Sequence, residues 1–274
     1  MTSVMLNGRI LPVGEAVLPV SDRALTHGLG LYETLKLAGG VPVFFEEHVA
    51  RLDRGLETLG LERPASRAEM AAQITAISAA TGVADGACRV LVTAGAPGGE
   101  PSLLIQTDQR QFPARPLRVI TYQGVRVRAE LKAMTVMQSY LAQRAANAAG
   151  VDDAILVDDE GRMFEGATSN LFVVRGGGLV TPPAEGAILP GVLRAKVEEL
   201  GAAAGLTIVE AYARVADLRP DDGMLLTSSV RGIVMVANVD GRDLALQAEM
   251  HARLKSLVGE AEQASAEAFR ATYS

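Results

Sequence analysis

Residues 153–183, DAILVDDEGRMFEGATSNLFVVRGGGLVTPP, constrain the fold of this chain more than any other stretch. Short apolar runs recur at intervals of a few residues, and each is closed by glycine or a polar cluster. That rhythm predicts a β-meander with glycine turns. The N-terminus repeats the signal. Asn7-Gly8 between the apolar runs of VMLNGRILPV predicts a type I′ hairpin, and Gly39-Gly40 in GLYETLKLAGGVPVFF predicts a second turn. From Phe45 the spacing becomes helical, with Phe45, Val49, Leu52, Leu56 and Leu59 on one face and Gly60 as the stop. Ser66-Arg67-Ala68-Glu69 is a capping-box sequence opening a second helix through MAAQITAISAATG. Strand-like runs follow in CRVLVTAG and SLLIQT. The polar segment 108–116, DQRQFPARP, reads as a linker. Beyond it come a strand (LRVITYQ), a helix (SYLAQRAANAAG), the meander, and a helix at GVLRAKVEELGAAAG. A strand at TIVEAY, two strands around TSSVRG and a closing helix complete the chain. The expected architecture is mixed α/β (α+β) in two domains, 1–111 and 119–274, joined by a linker at 112–118.

Composition narrows the function. A chain of 274 residues, 49% hydrophobic and 21% charged, can bury a large core. Its net charge of −6 gives no electrostatic reason to expect nucleic acid or an anionic membrane as partner. The basic residues Arg110, Arg115, Arg118, Arg126 and Arg128 are interleaved with apolar ones and read as strand edges. One cysteine, Cys88, permits no intrachain disulfide and no cysteine-cluster metal site. His27, His48 and His251 lie far apart in the sequence, so no single-chain zinc site is expected. No signal peptide and no membrane span are read, and a soluble cytoplasmic protein is expected.

Four features suggest chemistry. In LKAMTVMQSYLAQRAANAAG, Lys132 heads a stretch with no further charge until Arg144. Such a lysine can snorkel, with its stem on the surface and its charge in water. Desolvated, it has a lowered pKa and can form a Schiff base. Glu165, at the end of an apolar run and followed by Gly166, is placed to be a buried charge partner, or else sits in a solvated turn. Pro190-Gly191 leads into a helix whose free N–H groups at Val192 and Leu193 suit phosphate; a plain Pro-Gly turn is the alternative. Thr227-Ser228-Ser229 follow Met224-Leu225-Leu226 and can donate to phosphate oxygens or satisfy their own backbone. A Schiff-base lysine, an acid for a pyridine nitrogen and a phosphate cup are the needs of pyridoxal phosphate.

The chain resembles the class IV aminotransferase family, the fold-type IV pyridoxal-phosphate enzymes. These include branched-chain aminotransferase, D-amino acid aminotransferase and 4-amino-4-deoxychorismate lyase. The resemblance runs from about Asn7 to Arg242. It is carried by SDRALTHGLGLYETLK, HVARL, GVDDAILVDDEGRMFEGATSNLF, LVTPP, ILPGVLR and LTSSVRGIVMVANVDG. It implies a small N-terminal α/β domain and a larger C-terminal domain with a barrel-like sheet, holding the cofactor between them, in a homodimer. It implies that Lys132 bonds the cofactor and shuttles protons, and that Glu165 keeps the pyridine nitrogen protonated. By the same resemblance Arg51 binds the phosphate, as do Val192 and Leu193 at the helix start and Ser228 and Ser229 in a second turn. Leu189 packs on the ring, and Asn170 is the asparagine of the E-G-x-x-x-N-x-F segment.

The specific reaction is read from departures. The tyrosine that branched-chain enzymes carry five residues after the lysine is here Met137, and their glycine after Phe-Glu is Thr34 in Tyr32-Glu33-Thr34. The Arg-x-His pair of D-amino acid aminotransferases is missing from APGGEPS. Thr34 resembles the aminodeoxychorismate lyases, and Leu193 replaces a threonine common in the transaminases. Arg231, in SSVRG, is a candidate for a substrate carboxylate or an exposed surface charge, and Tyr32 and Thr34 join it as candidate substrate residues. The expected activity is release of 4-aminobenzoate and pyruvate from 4-amino-4-deoxychorismate. The alternative is an amino-acid or amine transaminase.

Overall fold

A computed structural model describes residues 2–185 and 187–273. They form two compact units, Met1–Gln111 with Leu131–Thr135 and Ala261–Ser274, and Phe112–Glu130 with Val136–Glu260. The chain leaves the first unit near the expected linker. Two later segments nevertheless group with the first unit, and one of them, 131–135, carries Lys132.

The first unit is built on a six-stranded antiparallel sheet. Its elements are β1 (Ser3–Leu6), β2 (Arg9–Pro12), α1 (Arg23–His27), β3 (Gly30–Ala38), β4 (Val41–Pro42), α2 (Phe45–Leu59), α3 (Arg67–Thr81), β5 (Gly86–Thr93) and β6 (Leu103–Asp108). The strand order is β2-β1-β6-β5-β3-β4. Asn7 and Gly8 both take positive φ, 49° and 79°, as a type I′ turn requires. Gly60 ends α2 in the left-handed region, and the Ser66–Glu69 capping box opens α3. Val49, Leu52 and Leu56 of α2 and Met70, Ile74 and Ile77 of α3 bury against Leu31, Leu35 and Leu37 of β3. Each such side chain contributes about 1.5–3 kcal/mol on burial. Alternation along β3 puts these leucines inward and leaves Tyr32 and Thr34 half-buried on the other face. Glu33 falls in the inward register and is buried.

The second unit comprises β7 (Leu117–Gln123), α4 (Met137–Ala148), β8 (Asp153–Val157), β9 (Met163–Gly166), β10 (Asn170–Arg175), β11 (Gly178–Thr181), α5 (Val192–Ala203), β12 (Ile208–Glu210), β13 (Gly223–Ser228), β14 (Gly232–Val239) and β15 (Arg242–Asp243). It also holds the first half of α6 (Ala248–Tyr273). Strands β10, β13, β14, β7, β8 and β9 pair in turn, and β9 pairs again with β10 through Glu165 and Asn170. The sheet is thereby closed through six strands, the barrel-like sheet expected, and is extended by β11, β12 and β15. The predicted meander is β8 to β11. All five residues of β8 are buried, because Ala142 and Ala146 of α4 cover Ala154 and Leu156 while Ile155 enters the barrel core. The basic residues of 110–128 are not strand edges. Only Arg118 lies in a strand, and the others meet acids: Arg115 with Asp152, Arg126 with Glu165, Arg128 with Glu130 and Arg110 with Asp108. A net-acidic chain leaves carboxylates close at hand for each of them.

Candidate active site

In the first unit, the segment bearing Lys132 lies along the start of β3. The Tyr32 N–H donates to Lys132 O at 2.9 Å, the Met134 N–H donates to Gly30 O at 3.0 Å, and Leu31 bridges Ala133. This approach requires Gly30. A Cβ there would lie 2.6 Å from Met134 Sδ and 2.7 Å from Val92 O, and the latter, being backbone, cannot swing away. Lys132 is half-buried, with Nζ 4.8 Å from the centre of the Tyr32 ring. The same ring carries the Arg89 guanidinium at 4.6 Å. Arg89 is on β5 opposite Thr34, and its Nε is buried with no hydrogen-bond partner among the described residues. Sequence reasoning missed Arg89; an arginine inside the apolar run CRVLVTAG was the available signal.

Inward of β3 is a second cluster. Arg51 clasps Glu33 with Nε on Oε1 at 2.8 Å and Nη2 on Oε2 at 2.6 Å. His48 Nδ1 meets Oε2 at 2.7 Å. An ionised carboxylate only accepts, so Nδ1 carries the proton, and Nε2 is buried without a hydrogen-bond partner among the described residues. Burial raises the Glu33 pKa, but the Arg51 charge and hydrogen bonds, joined by His48, overcome it and hold the carboxyl well below the usual carboxylate range. Burial depresses the His48 pKa more than Glu33 raises it, with the Arg51 and Lys132 charges adding to the depression. Arg51, the phosphate candidate, is therefore a buried residue bound bidentately to Glu33. Neither Glu33 nor His48 was singled out from sequence.

In the second unit, Glu165 is 3% exposed. Its Oε1 accepts from Arg126 Nε at 2.7 Å and its Oε2 from the Leu189 N–H at 3.1 Å. Asn170, opposite Glu165 in the ladder, donates from Nδ2 to Leu189 O at 2.8 Å. Leu189 is thus held by both backbone groups just before α5. Gly191 precedes that helix in an extended conformation with no side-chain cap, so its first amides, at Val192 and Leu193, are not met by a capping side chain. A Cβ on Gly191 would overlap Asn170 Oδ1. Ser228 ends β13 and Ser229 begins the turn to β14. Beside them Thr227 Oγ1 is buried with no hydrogen-bond partner among the described residues. Arg231 is half-buried, not an exposed charge; Nη1 lies 3.5 Å from the buried Asp153, and the guanidinium covers the Phe112 ring at 5.2 Å.

An uncapped helix start, a buried hydroxyl lacking a partner and a buried carboxylate are the donors and acceptor that a phosphorylated pyridine needs. Among the described residues no cluster of histidine, cysteine or acid side chains could hold a metal ion, and no helix is long and apolar enough to cross a membrane. The amino-transferase class IV family model matches residues 30–239. This chain belongs to the class IV aminotransferase family. A protein of Methanocaldococcus jannaschii, provisionally named a branched-chain-amino-acid aminotransferase, is 30% identical over 87% of this chain and 88% of its own. The D-alanine aminotransferase of Bacillus licheniformis is 28% identical over 88% and 89%. A Legionella pneumophila crystal structure, provisionally named 4-amino-4-deoxychorismate lyase, matches with TM-score 0.84 and 24% identity, covering 90% of this chain and 96% of that one. As a class IV aminotransferase the protein is a pyridoxal-phosphate-dependent aminotransferase or lyase, and the fold expected from the resemblance is the one observed.

Proposed function

We propose that this class IV enzyme converts 4-amino-4-deoxychorismate to 4-aminobenzoate and pyruvate. The observation carrying the reading is the shared Tyr32 ring, with the Lys132 ammonium on it at 4.8 Å and the Arg89 guanidinium at 4.6 Å. A group that handles an amine stands beside one that recognises a carboxylate, and the substrate has both. Thr34, opposite Arg89, is the lyase-like residue of this face.

The roles follow from chemistry. Bound pyridoxal phosphate supplies an electrophilic aldehyde and a ring that draws electrons from the carbon bearing the substrate amine. Lys132 Nζ would hold the cofactor by its aldehyde group and be released when substrate binds. It then takes the proton from the amine-bearing carbon and delivers one to the departing enolpyruvate, which leaves as pyruvate while the six-membered ring becomes aromatic. Glu165 would hold the ring nitrogen and Leu189, itself held by Asn170 and Glu165, would pack on the ring. Val192, Leu193, Thr227, Ser228 and Ser229 bind the phosphate; Arg51, clasped by Glu33, is the weaker candidate for that task. Arg89 orients a substrate carboxylate. Arg231, spent on Asp153 and Phe112, is the weaker candidate for that task. A homodimer belongs to the same proposal, supported by the exposed apolar side chains Val17, Val20, Leu25 and Leu29; a cytoplasmic site of action goes with it.

The second reading is an amino-acid or amine transaminase, favoured by the names of the 30% and 28% identical relatives. Lys132 Nζ would then take up and return the proton of the amine-bearing carbon, and Arg89 would meet an amino-acid carboxylate. Borohydride reduction of the holoenzyme followed by peptide mapping tests what both readings share. The cofactor is expected on Lys132. Reduced cofactor on another lysine, or unchanged borohydride-reducible absorbance in Lys132→Ala, overturns both.

A further inference from the structure

We infer that Arg126 is a positioning residue that keeps the proton shared by Glu165 and the cofactor's ring nitrogen on the nitrogen. The inference rests on the role proposed above for Glu165.

Arg126 lies between β7 and the lysine segment, where no regular element fixes it. Its position comes from the backbone. Gly124 takes φ +127°, and a side chain there would overlap Gln138 Nε2. Arg128 takes φ +53°, a left-handed conformation uncommon for a non-glycine residue. Between these two unusual residues the guanidinium is fixed twice, by Nε on Glu165 Oε1 at 2.7 Å and by Nη2 on Ala129 O at 3.2 Å. The side chain is 18% exposed and its carboxylate partner 4%, so the charge–charge contact is shielded from water. Leu189 N–H occupies the other oxygen.

Charge balance gives the direction. A carboxylate and a pyridine nitrogen sharing one proton leave it on whichever is the more basic. A buried carboxylate that loses a cationic partner becomes a stronger base, because burial penalises its anion. A charge-assisted hydrogen bond from a guanidinium stabilises that anion and lowers its basicity. With Arg126 in place the proton stays on the ring nitrogen, where it strengthens electron withdrawal; without Arg126 it moves toward Glu165. Hydrogen bonds to charged groups are worth about 1.5–3 kcal/mol, a bias of roughly tenfold to a hundredfold.

The test is the ¹⁵N chemical shift of ring-¹⁵N pyridoxal phosphate bound to the wild-type protein and to Arg126→Met, Arg126→Lys and Glu165→Gln at neutral pH. Arg126→Met is expected to move the signal from the protonated toward the unprotonated position, with kcat reduced roughly tenfold or more and KM changed far less. Arg126→Lys, which keeps the charge, is expected to restore most of the protonated signal. An Arg126→Met signal at the wild-type position overturns the inference, as does an Arg126→Lys signal no nearer to the wild type than that of Arg126→Met. If Glu165→Gln also leaves the shift unchanged, the proposed role of Glu165 fails; if only Glu165→Gln moves it, Arg126 alone is excluded. Should Arg126→Met not fold, the Arg126→Lys spectrum still decides, because preserved charge with a lost protonated signal contradicts the account.

Discussion

Glu33 in the first unit and Glu165 in the second are both buried carboxylates held by an arginine, yet they are built for different work. Glu33 is held by two side chains of one helix, Arg51 on both oxygens and His48 on one of them. Glu165 accepts from a loop arginine and a backbone amide, next to a helix start without a side-chain cap and beside the ladder partner Asn170. The first arrangement fixes a core, and the second sets up a surface for a ligand. A buried carboxylate is therefore diagnostic through who holds it and how much backbone around it lacks a capping partner, more than through burial itself.

Substitutions separate the two. Glu33→Ala removes one member of a buried ion pair, so a loss of about 3–5 kcal/mol is expected in urea unfolding of the apoprotein. Glu165→Gln keeps the shape but only one of the two acceptors for Arg126 and the Leu189 N–H, so the same experiment is expected to show a smaller loss than Glu33→Ala, whereas turnover falls roughly a hundredfold with cofactor still bound. Near-normal turnover rejects the assignment of Glu165 to the ring nitrogen. Arg89→Met is expected to lower kcat/KM by roughly tenfold to a hundredfold, the value of a charge-assisted hydrogen bond, without loss of cofactor.

Acid sharpens the contrast through linkage. Both His48 and Glu33 have folded pKa values below their ordinary ones of 6.5 and 4.5, so in each case the unfolded chain takes up protons first. The stability each contributes is present above the unfolded value and is lost as pH falls through and below it. Unfolding free energy is expected to decline below about pH 6.5 and more steeply below about pH 4.5, and Glu33→Gln is expected to make the second decline shallower, with the lowered carboxyls of Asp152, Asp158 and Asp222 retaining the rest. The smallest effect is expected at Thr227, whose buried hydroxyl has no partner among the described residues. Thr227→Val is expected to stabilise the apoprotein by about 1 kcal/mol while weakening cofactor binding roughly fivefold. Stabilisation without weaker binding removes Thr227 from the phosphate site.

The sequence made some of this legible and hid the rest for physical reasons. Asn7-Gly8, the Phe45–Leu59 stripe and the Ser66–Glu69 box are local signals, and each element appears where they place it. The start of α4 at Met137 carried no such signal, because Val136 precedes it without a side-chain cap. The allocation of 131–135 and 261–274 to the first unit depends on contacts distant in sequence, which no linker composition encodes. Lys132 and Glu165 stood out as charges set in apolar or small-residue surroundings. Glu33 and Arg89 satisfy the same criterion, inside GLYETLKLA and CRVLVTAG, and became visible only when strand register set Thr34 against Arg89 and turned Glu33 inward. Arg126 was hidden among its basic neighbours, since only the fold distinguishes an arginine on a catalytic carboxylate from one on a surface acid.

The central claim is the lyase reaction, and product analysis tests it most directly. Holoenzyme would be given enzymatically generated 4-amino-4-deoxychorismate and, separately, a panel of amino acids, with cofactor absorbance followed throughout. The account predicts 4-aminobenzoate and pyruvate in equal amounts while the absorbance of the lysine-bound cofactor persists. Conversion of the cofactor to its amine form by an amino acid, with no 4-aminobenzoate from aminodeoxychorismate, would contradict it and make the protein a transaminase.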